Sequence, residues 1–321
     1  MNGSNPAARL PRTPRFARAL PCAAALVALA APALGGAQPV FRTGVDLVNL
    51  GVTVVDRKGA PVTDLVAGDF EVREEGKSQK IDIFVRGTDR GESRPPLHIG
   101  LLFDTSRSMV EDVGFSRSAA IKFLKTVDWA EDITLVDFDT EVRVARFEQA
   151  NFARLVERIR ARRPDGWTAL YDAMGVYLDG AGDQNGQKIL VLYTDGGDTR
   201  SSMTFGEALD SLKASDVTLY VIGFLQHQTS TMRNEQRLRL QQLAETTGGL
   251  SFFPMSIEQL DEMYEQVRAD IDARYLLGYA SSDPRQDGAW RSIEVKITRP
   301  DLKGAKVRVR KGYFAPYKGA G

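Results

Sequence analysis

Four uninterrupted apolar runs set the strongest limit on how this chain can fold. Each run is six to eight residues long, and helical patterns with apolar residues three and four positions apart separate them. A strand that is apolar throughout is typically buried on both faces, as in a parallel sheet covered by helices. The alternation therefore predicts βαβ units and an α/β fold with a doubly wound, mostly parallel sheet. The runs occupy residues 98–103, 133–138, 188–193 and 217–224.

Two segments with alternating β patterns flank this α/β region of residues 97–273. Residues 38–96 and residues 274–321 each contain three such stretches, separated by turn residues. We expect the two segments to join into one β-sandwich that carries the α/β domain as an insertion, which is easy where domain termini lie close together. The alternative is two separate β additions. Residues 86–96, with Gly, Pro and polar side chains, are predicted to be a linker.

The first 37 residues have the organisation of a secretory signal. They contain four arginines and no acidic residue, then an apolar run at residues 19–34, then Gly35, Gly36 and Ala37. The run of 16 residues is short for a membrane span. We predict cleavage after Ala37, a secreted or periplasmic location and no integral membrane span thereafter. The alternative is an uncleaved anchor.

Composition excludes several classes of function. Lys plus Arg number 42 and Asp plus Glu number 42, so no strongly basic surface is expected and no nucleic-acid partner is predicted. One cysteine and two histidines cannot build a multi-thiolate or three-histidine metal site. The sequence has no G-x-x-x-x-G-K phosphate loop and no G-x-S-x-G elbow with a convincing base, so no enzyme is predicted. The oligomeric state is left open.

Hydroxyl and carboxyl side chains follow the predicted strands where ligands are expected. Asp104, Ser106 and Ser108 follow the first run, Asp195 follows the third, and Thr168 precedes a helix. Such oxygen ligands suit Mg²⁺. Two carboxylates about 5 Å apart would repel by roughly 3 kcal/mol at an effective dielectric constant near 20, and a cation between them removes that cost. Taken singly, each residue could equally be a helix cap or a turn residue.

These motifs, taken in order, resemble the metal-ion-dependent adhesion site of the von Willebrand factor type A domain. They are the D-x-S-x-S of residues 104–108, the G-x-T-A-L of residues 166–170 and the T-D-G of residues 194–196. The resemblance implies that Ser106, Ser108 and Thr168 bind the metal directly, and that Asp104 and Asp195 do so directly or through water. It also implies Mg²⁺, or Mn²⁺ or Ca²⁺ in its place, and an open position that accepts a carboxylate from a protein partner.

Other residues refine this resemblance. Trp167 stands where a second glycine often precedes the threonine. The flanking β motifs, Phe84-Val85-Arg86 and residues 310–314, resemble the bacterial VWFA-related domain family first noted in acidobacteria. The resemblance implies an exported, non-enzymatic protein-binding or adhesion module. The alternative is a structural envelope scaffold whose metal only stabilises the fold.

Two basic features receive a plainer interpretation. Five arginines between residues 154 and 163 lie on a predicted helix, and we interpret them as a solvated face. His227 follows a predicted strand and could reach the rim of the site, but we expect it to be exposed or hydrogen-bonded.

Overall fold

The structure, a computed structural model, describes residues 47–89 and 95–317. The predicted signal and its cleavage position lie outside these ranges. The described α-helices are α1 (Val113–Thr126), α2 (Phe152–Ala161), α3 (Leu170–Gly182), α4 (Phe205–Ala214), α5 (Ser230–Thr246) and α6 (Glu258–Asp272). The described strands are β1 (Leu47–Val55), β2 (Phe70–Glu74), β3 (Lys77–Gln79), β4 (Ile83–Arg86), β5 (Leu97–Asp104), β6 (Asp132–Phe138), β7 (Val142–Glu148), β8 (Gln187–Thr194), β9 (Thr218–Gly223), β10 (Ser251–Phe252), β11 (Tyr275–Ala280), β12 (Trp290–Ile297), β13 (Lys306–Arg308) and β14 (Gly312–Phe314).

A six-stranded sheet in the order β10-β9-β8-β5-β6-β7 forms the centre of the α/β region. The five strands from β10 to β6 run parallel, and β7 pairs antiparallel with β6 at the edge. β5 and β8 are buried at every position. One hydrophobic core lies between the sheet and α1, α2 and α6, and a second between the sheet and α3, α4 and α5. The predicted α/β class and mostly parallel sheet are confirmed.

Strands from the two flanking segments share two antiparallel sheets. One sheet has the order β13-β1-β11-β4, in which strands that follow and precede the α/β region alternate. The other has the order β14-β12-β2-β3, in which the two segments meet where β12 pairs with β2. Apolar side chains from both sheets, Leu50, Val72, Leu277 and Val295 among them, pack into one core. The strands that lead into and out of the α/β region thus belong to shared sheets, although the predicted domain boundaries themselves remain predictions.

A buried polar network joins the α/β region to the antiparallel sheets. Arg274, 2% exposed, follows α6 and donates hydrogen bonds to Thr218 and Tyr220 of β9. Asp270 of α6 accepts from Tyr220 and pairs with Arg308 of β13. Because buried charges are costly when unpaired, this network favours one fixed arrangement of α6, β9 and β13.

The arginine-rich helix is not the fully solvated face that we predicted. Asp137 of β6 is fully buried, and Arg158 and Arg162 both form ion pairs with it, as does Arg143 of β7. The interpretation is therefore wrong for Arg158 and Arg162. Their side chains are drawn inward because three guanidinium groups offset the cost of burying one carboxylate.

No helix in the described ranges is long and apolar enough to cross a membrane.

Candidate functional site

The carboxyl ends of β5 and β8 bring the first and third predicted loops together. Phe103 lies opposite Tyr193 in the parallel register, so Asp104 and Thr194 end neighbouring strands at the same sheet edge. Asp195 follows at once. The apolar residues of both strands are anchored in the cores, which fixes where these polar groups emerge.

Asp104 is a fully buried carboxylate. One oxygen accepts a hydrogen bond from the Ser106 backbone N–H at 2.9 Å, and the other accepts one from the Thr194 hydroxyl at 2.6 Å. Burial, and then the nearby negative charge of Asp195, raise the pKa of Asp104 from 3.8 to about 7, although hydrogen bonds from Ser106 and Thr194 act in the opposite direction. The surrounding protein groups thus disfavour the charged form of this side chain.

Ser106 and Ser108 lie on the turn that follows Asp104. Ser106 is fully buried and Ser108 is exposed, yet their hydroxyl oxygens lie 3.1 Å apart. Ser108 belongs to a short 3₁₀-helix, Arg107–Val110, that ends before α1. The two-residue spacing therefore places both hydroxyl groups on one side of the turn.

The second loop is held against the other two. Thr168 is 4% exposed, and its carbonyl accepts hydrogen bonds from the backbone N–H groups of Thr199 and Arg200, at 2.9 and 3.0 Å. Its own N–H donates to the Thr199 hydroxyl at 3.0 Å. Gly166 accepts from the Arg107 N–H at 3.2 Å. Thr168 is thus hydrogen-bonded to the loop that contains Asp195, and its neighbour Gly166 to the loop that contains Ser106.

Asp195 is 6% exposed at the start of the loop after β8. Its carboxylate accepts a hydrogen bond from the Gly197 N–H at 3.1 Å, and its carbonyl accepts one from the Gln228 side chain at 2.7 Å. Asp198 has a different role, because its carboxylate accepts from the Leu170 N–H at 2.9 Å and from the Ser201 hydroxyl. It therefore satisfies a donor at the N-terminus of α3.

An acidic and histidine cluster that the sequence did not reveal borders the site. His227 lies 3.1 Å from Asp112 and 3.3 Å from Glu111, measured between side-chain nitrogen and oxygen atoms. Burial raises the pKa of Asp112, and the charge of Asp195 adds to the rise. The hydrogen bond that His227 donates to the Asp112 carboxylate raises the pKa of His227. The expectation that His227 is hydrogen-bonded is confirmed. Its partners could not be predicted from the sequence, because they lie more than 100 residues away along the chain.

Trp167 is the most exposed aromatic side chain beside these loops, at 64%. Its backbone N–H donates to the Thr140 hydroxyl at 2.9 Å. Gly166, just before it, has a φ of +72°, and a Cβ there would lie 2.4 Å from that hydroxyl. The indole is therefore presented to solvent from a constrained backbone, one residue before Thr168.

The arrangement offers two carboxylates and three hydroxyl groups at one sheet edge. Within residues 47–89 and 95–317, no three His, Cys, Asp or Glu side chains cluster as a metal site. A cation at this edge would therefore be held by hydroxyl as well as carboxylate oxygens, which is the chemistry of hard cations such as Mg²⁺.

Fold and site together define a doubly wound α/β domain with a hydroxyl- and carboxylate-lined edge. The family model of the von Willebrand factor type A domain matches residues 98–266, more than half of the chain. The chain belongs to this family. A comparison with curated proteins found no match.

Several solved structures are similar to this chain at low identity. The pilus adhesin SpaC from Lactobacillus rhamnosus GG has 11% identity and a TM-score of 0.47, covering 82% of this chain and 49% of the adhesin. The chain thus spans about half of that protein. The type V pilus tip protein Mfa5 from Porphyromonas gingivalis, through its von Willebrand factor domain, has 13% identity and a TM-score of 0.46, covering 56% and 97%. A von Willebrand factor type A protein from Catenulispora acidiphila has 13% identity and a TM-score of 0.44, covering 87% and 76%.

Proposed function

We propose that this chain is an exported, non-enzymatic binding module of the adhesion type. In this proposal, Asp104, Ser106, Ser108, Thr168 and Asp195 hold a divalent cation, and the cation binds a carboxylate on a protein partner. The secreted or periplasmic location rests on the signal-like pattern of residues 1–37 and is part of the proposal.

The different surroundings of the buried aspartates carry the proposal. Asp137 receives three arginines, as buried carboxylates usually require. Within the described residues, no Lys or Arg forms an ion pair with Asp104 or Asp195, although both are at most 6% exposed. The negative charge of Asp195 instead adds to the rise in the pKa of Asp104. A cation from solution would supply the missing positive charge.

The donor set fits Mg²⁺, and Mn²⁺ or Ca²⁺ as well, because all three accept hard oxygen ligands. Ser106 and Ser108 already have their hydroxyl oxygens side by side. When bound, the cation would offer an open position to a carboxylate. The protein's own residues would hold it, and Trp167 would supply apolar contact area next to the partner's acidic group.

The same geometry argues against catalysis. The Ser106 hydroxyl contacts Ser108 rather than a histidine or another general base. His227 pairs with Asp112 and Glu111 at the rim. We therefore propose recognition without turnover.

A pull-down from the native envelope tests this function. The wild-type chain should capture a protein partner in Mg²⁺ and release it in EDTA, and Asp104→Ala should capture none. Asp165→Ala is the matched control, because Asp165 is 79% exposed in the neighbouring loop and pairs with Arg107. Partner binding that survives both EDTA and Asp104→Ala would refute the proposal. If EDTA lowers the melting temperature while Asp104→Ala still binds, the alternative of a structural metal is favoured.

A further inference from the structure

A cleft of about 700 Å³ lies between the α/β region and the antiparallel sheet that contains β12 and β14. Its volume is within the range of about 300–1,000 Å³ typical of small-molecule sites. Lys213 at the end of α4 and Gln242 and Glu245 near the end of α5 form one wall. Trp290, Lys311 and Phe314 form the other.

The cleft and the candidate metal site contact different parts of α5. Gly196, next to Asp195, lies against Gln236 and Leu240 in the middle of this helix. The last turns of the helix line the cleft instead. The cleft is thus a separate location, and no residue of the candidate metal site lines it.

Trp290 is a fixed aromatic surface in this cleft. It pairs with Phe314 across β12 and β14, and the two rings meet edge to face with centroids 5.1 Å apart. Gly312 makes room for the indole, because a Cβ at this glycine would lie 2.3 Å from the indole ring. The Trp290 side chain therefore loses little conformational freedom when a ligand stacks on its ring.

The polar groups around the indole include both donors and acceptors. Lys213 and Lys311 donate, Glu245 accepts, and the Gln242 amide can do both. Glu245 disfavours an anionic phosphate. Lys213 already pairs with Asp210, whereas Glu245 and Lys311 would be desolvated without partners around a purely apolar ligand. A sugar ring satisfies all of them, because it has a C–H face for stacking and hydroxyl groups that donate and accept.

We propose that this cleft is a carbohydrate-binding site, with Trp290 as the stacking surface and Gln242, Glu245 and Lys311 as hydrogen-bonding groups. The site is independent of the proposed metal function.

Indole NMR signals of the full chain test this site. The chain has three tryptophans, so its Trp290 signal is identified by its loss in Trp290→Phe. The probes are maltotriose, xylotriose and chitotriose, with glycerol as a non-ring control. At least one trisaccharide should shift the Trp290 signal saturably with a millimolar or lower Kd, and the Trp167 signal should stay in place.

Variants assign the binding to the cleft. Trp290→Ala and Glu245→Gln should each weaken binding about tenfold or more, equal to about 1.4 kcal/mol. Glu294→Gln, on the exposed side of β12, is the matched control and should bind normally. Asp104→Asn should also bind normally. No saturable shift with any trisaccharide, or unchanged affinity in Glu245→Gln, which keeps the shape of the side chain, would overturn the proposal. A short peptide that moves the Trp290 signal when the sugars do not would overturn it as well.

Discussion

Burial of Asp104 without a cationic partner makes this residue the most informative one in the protein. Its carboxylate is fully buried and accepts hydrogen bonds from Ser106 and Thr194. The negative charge of Asp195 lies nearby and disfavours the charge of Asp104. The metal-free fold therefore favours the protonated form. Stability of the metal-free protein should depend on pH through this group more than through an exposed aspartate.

Asp104→Asn should stabilise the metal-free protein at neutral pH. Because the pKa of Asp104 rises from 3.8 to about 7 on folding, the folded state binds more protons between these values, and stability falls as pH rises through this window. One pKa unit corresponds to about 1.4 kcal/mol, so the loss is of the order of a few kcal/mol by pH 8. The asparagine of the variant is neutral at every pH. In EDTA, the melting temperature of the variant should therefore be higher than that of wild type at pH 8 and similar to it at pH 4.

Two comparisons make this result specific. Asp165→Asn should leave the shape of the pH profile unchanged between about pH 5 and 8, because hydrogen bonds from Gly166 and Arg107 lower the pKa of Asp165 and it stays charged across this range. Equal melting temperatures of Asp104→Asn and wild type at pH 8 in EDTA would show that burial of this charge costs little.

Trp167→Ala should lower partner affinity without changing metal affinity. The side chain is 64% exposed and would lose apolar contact area with a partner, whereas Thr168 is held by its own backbone hydrogen bonds. A loss of about tenfold or more is expected for an aromatic residue at the centre of an interface. Surface plasmon resonance in saturating Mg²⁺ measures it, and unchanged partner affinity would remove Trp167 from the interface.

At the scale of elements, glycines of β5 and α1 give a matched pair of tests. A Cβ at Gly100 would lie 2.2 Å from the ring of Tyr177 in α3, so Gly100→Ala should lower the free energy of unfolding by about 1–3 kcal/mol through overpacking. Gly114 in α1 has nothing within 4 Å, and Gly114→Ala should raise it by up to about 1 kcal/mol. Urea denaturation measures both, and a tolerated Gly100→Ala would mean that β5 and α3 pack less tightly than described.

The strands and helices differ in how far their sequences predict them. The apolar runs correspond to β5, β6, β8 and β9 within one or two residues, because burial on both faces leaves a continuous signal. Thr204 and Glu207 form a capping box at the start of α4, as the S/T-x-x-E pattern predicts. The similar spacing of Ser256 and Gln259 forms none, since α6 begins at Glu258 and Gln259 accepts from the Met255 N–H instead. β7 has no continuous apolar signal, because it is an edge strand in which Arg143, Arg146 and Glu148 interrupt the apolar residues.

Of the site, Asp104 and Asp195 lie at one sheet edge because the neighbouring parallel strands β5 and β8 end there together. Thr168 precedes α3, and backbone hydrogen bonds hold it to the loop after β8. Their order along the chain was visible in the sequence. The pairing of His227 with Asp112 was not, since it depends on how two loops over 100 residues apart approach each other. Their roles as metal ligands remain predictions.

At the scale of the molecule, the α/β region and the antiparallel sheets should unfold together. The network of Asp270, Arg274 and Arg308 is buried between them, and breaking a buried ion pair typically costs 3–5 kcal/mol. Differential scanning calorimetry should show one transition for wild type and a lower melting temperature for Arg274→Ala. Two well-separated wild-type transitions would contradict this coupling.

Calorimetric titration of Mg²⁺ and Mn²⁺ into the metal-free protein tests the central claim most directly. We expect one cation per chain at neutral pH, with binding lost in Asp104→Ala and Asp195→Ala and retained in Asp165→Ala. Two results would contradict a cation site at these residues. In one, the wild-type protein binds neither cation; in the other, the Asp104→Ala and Asp195→Ala variants bind as tightly as wild type.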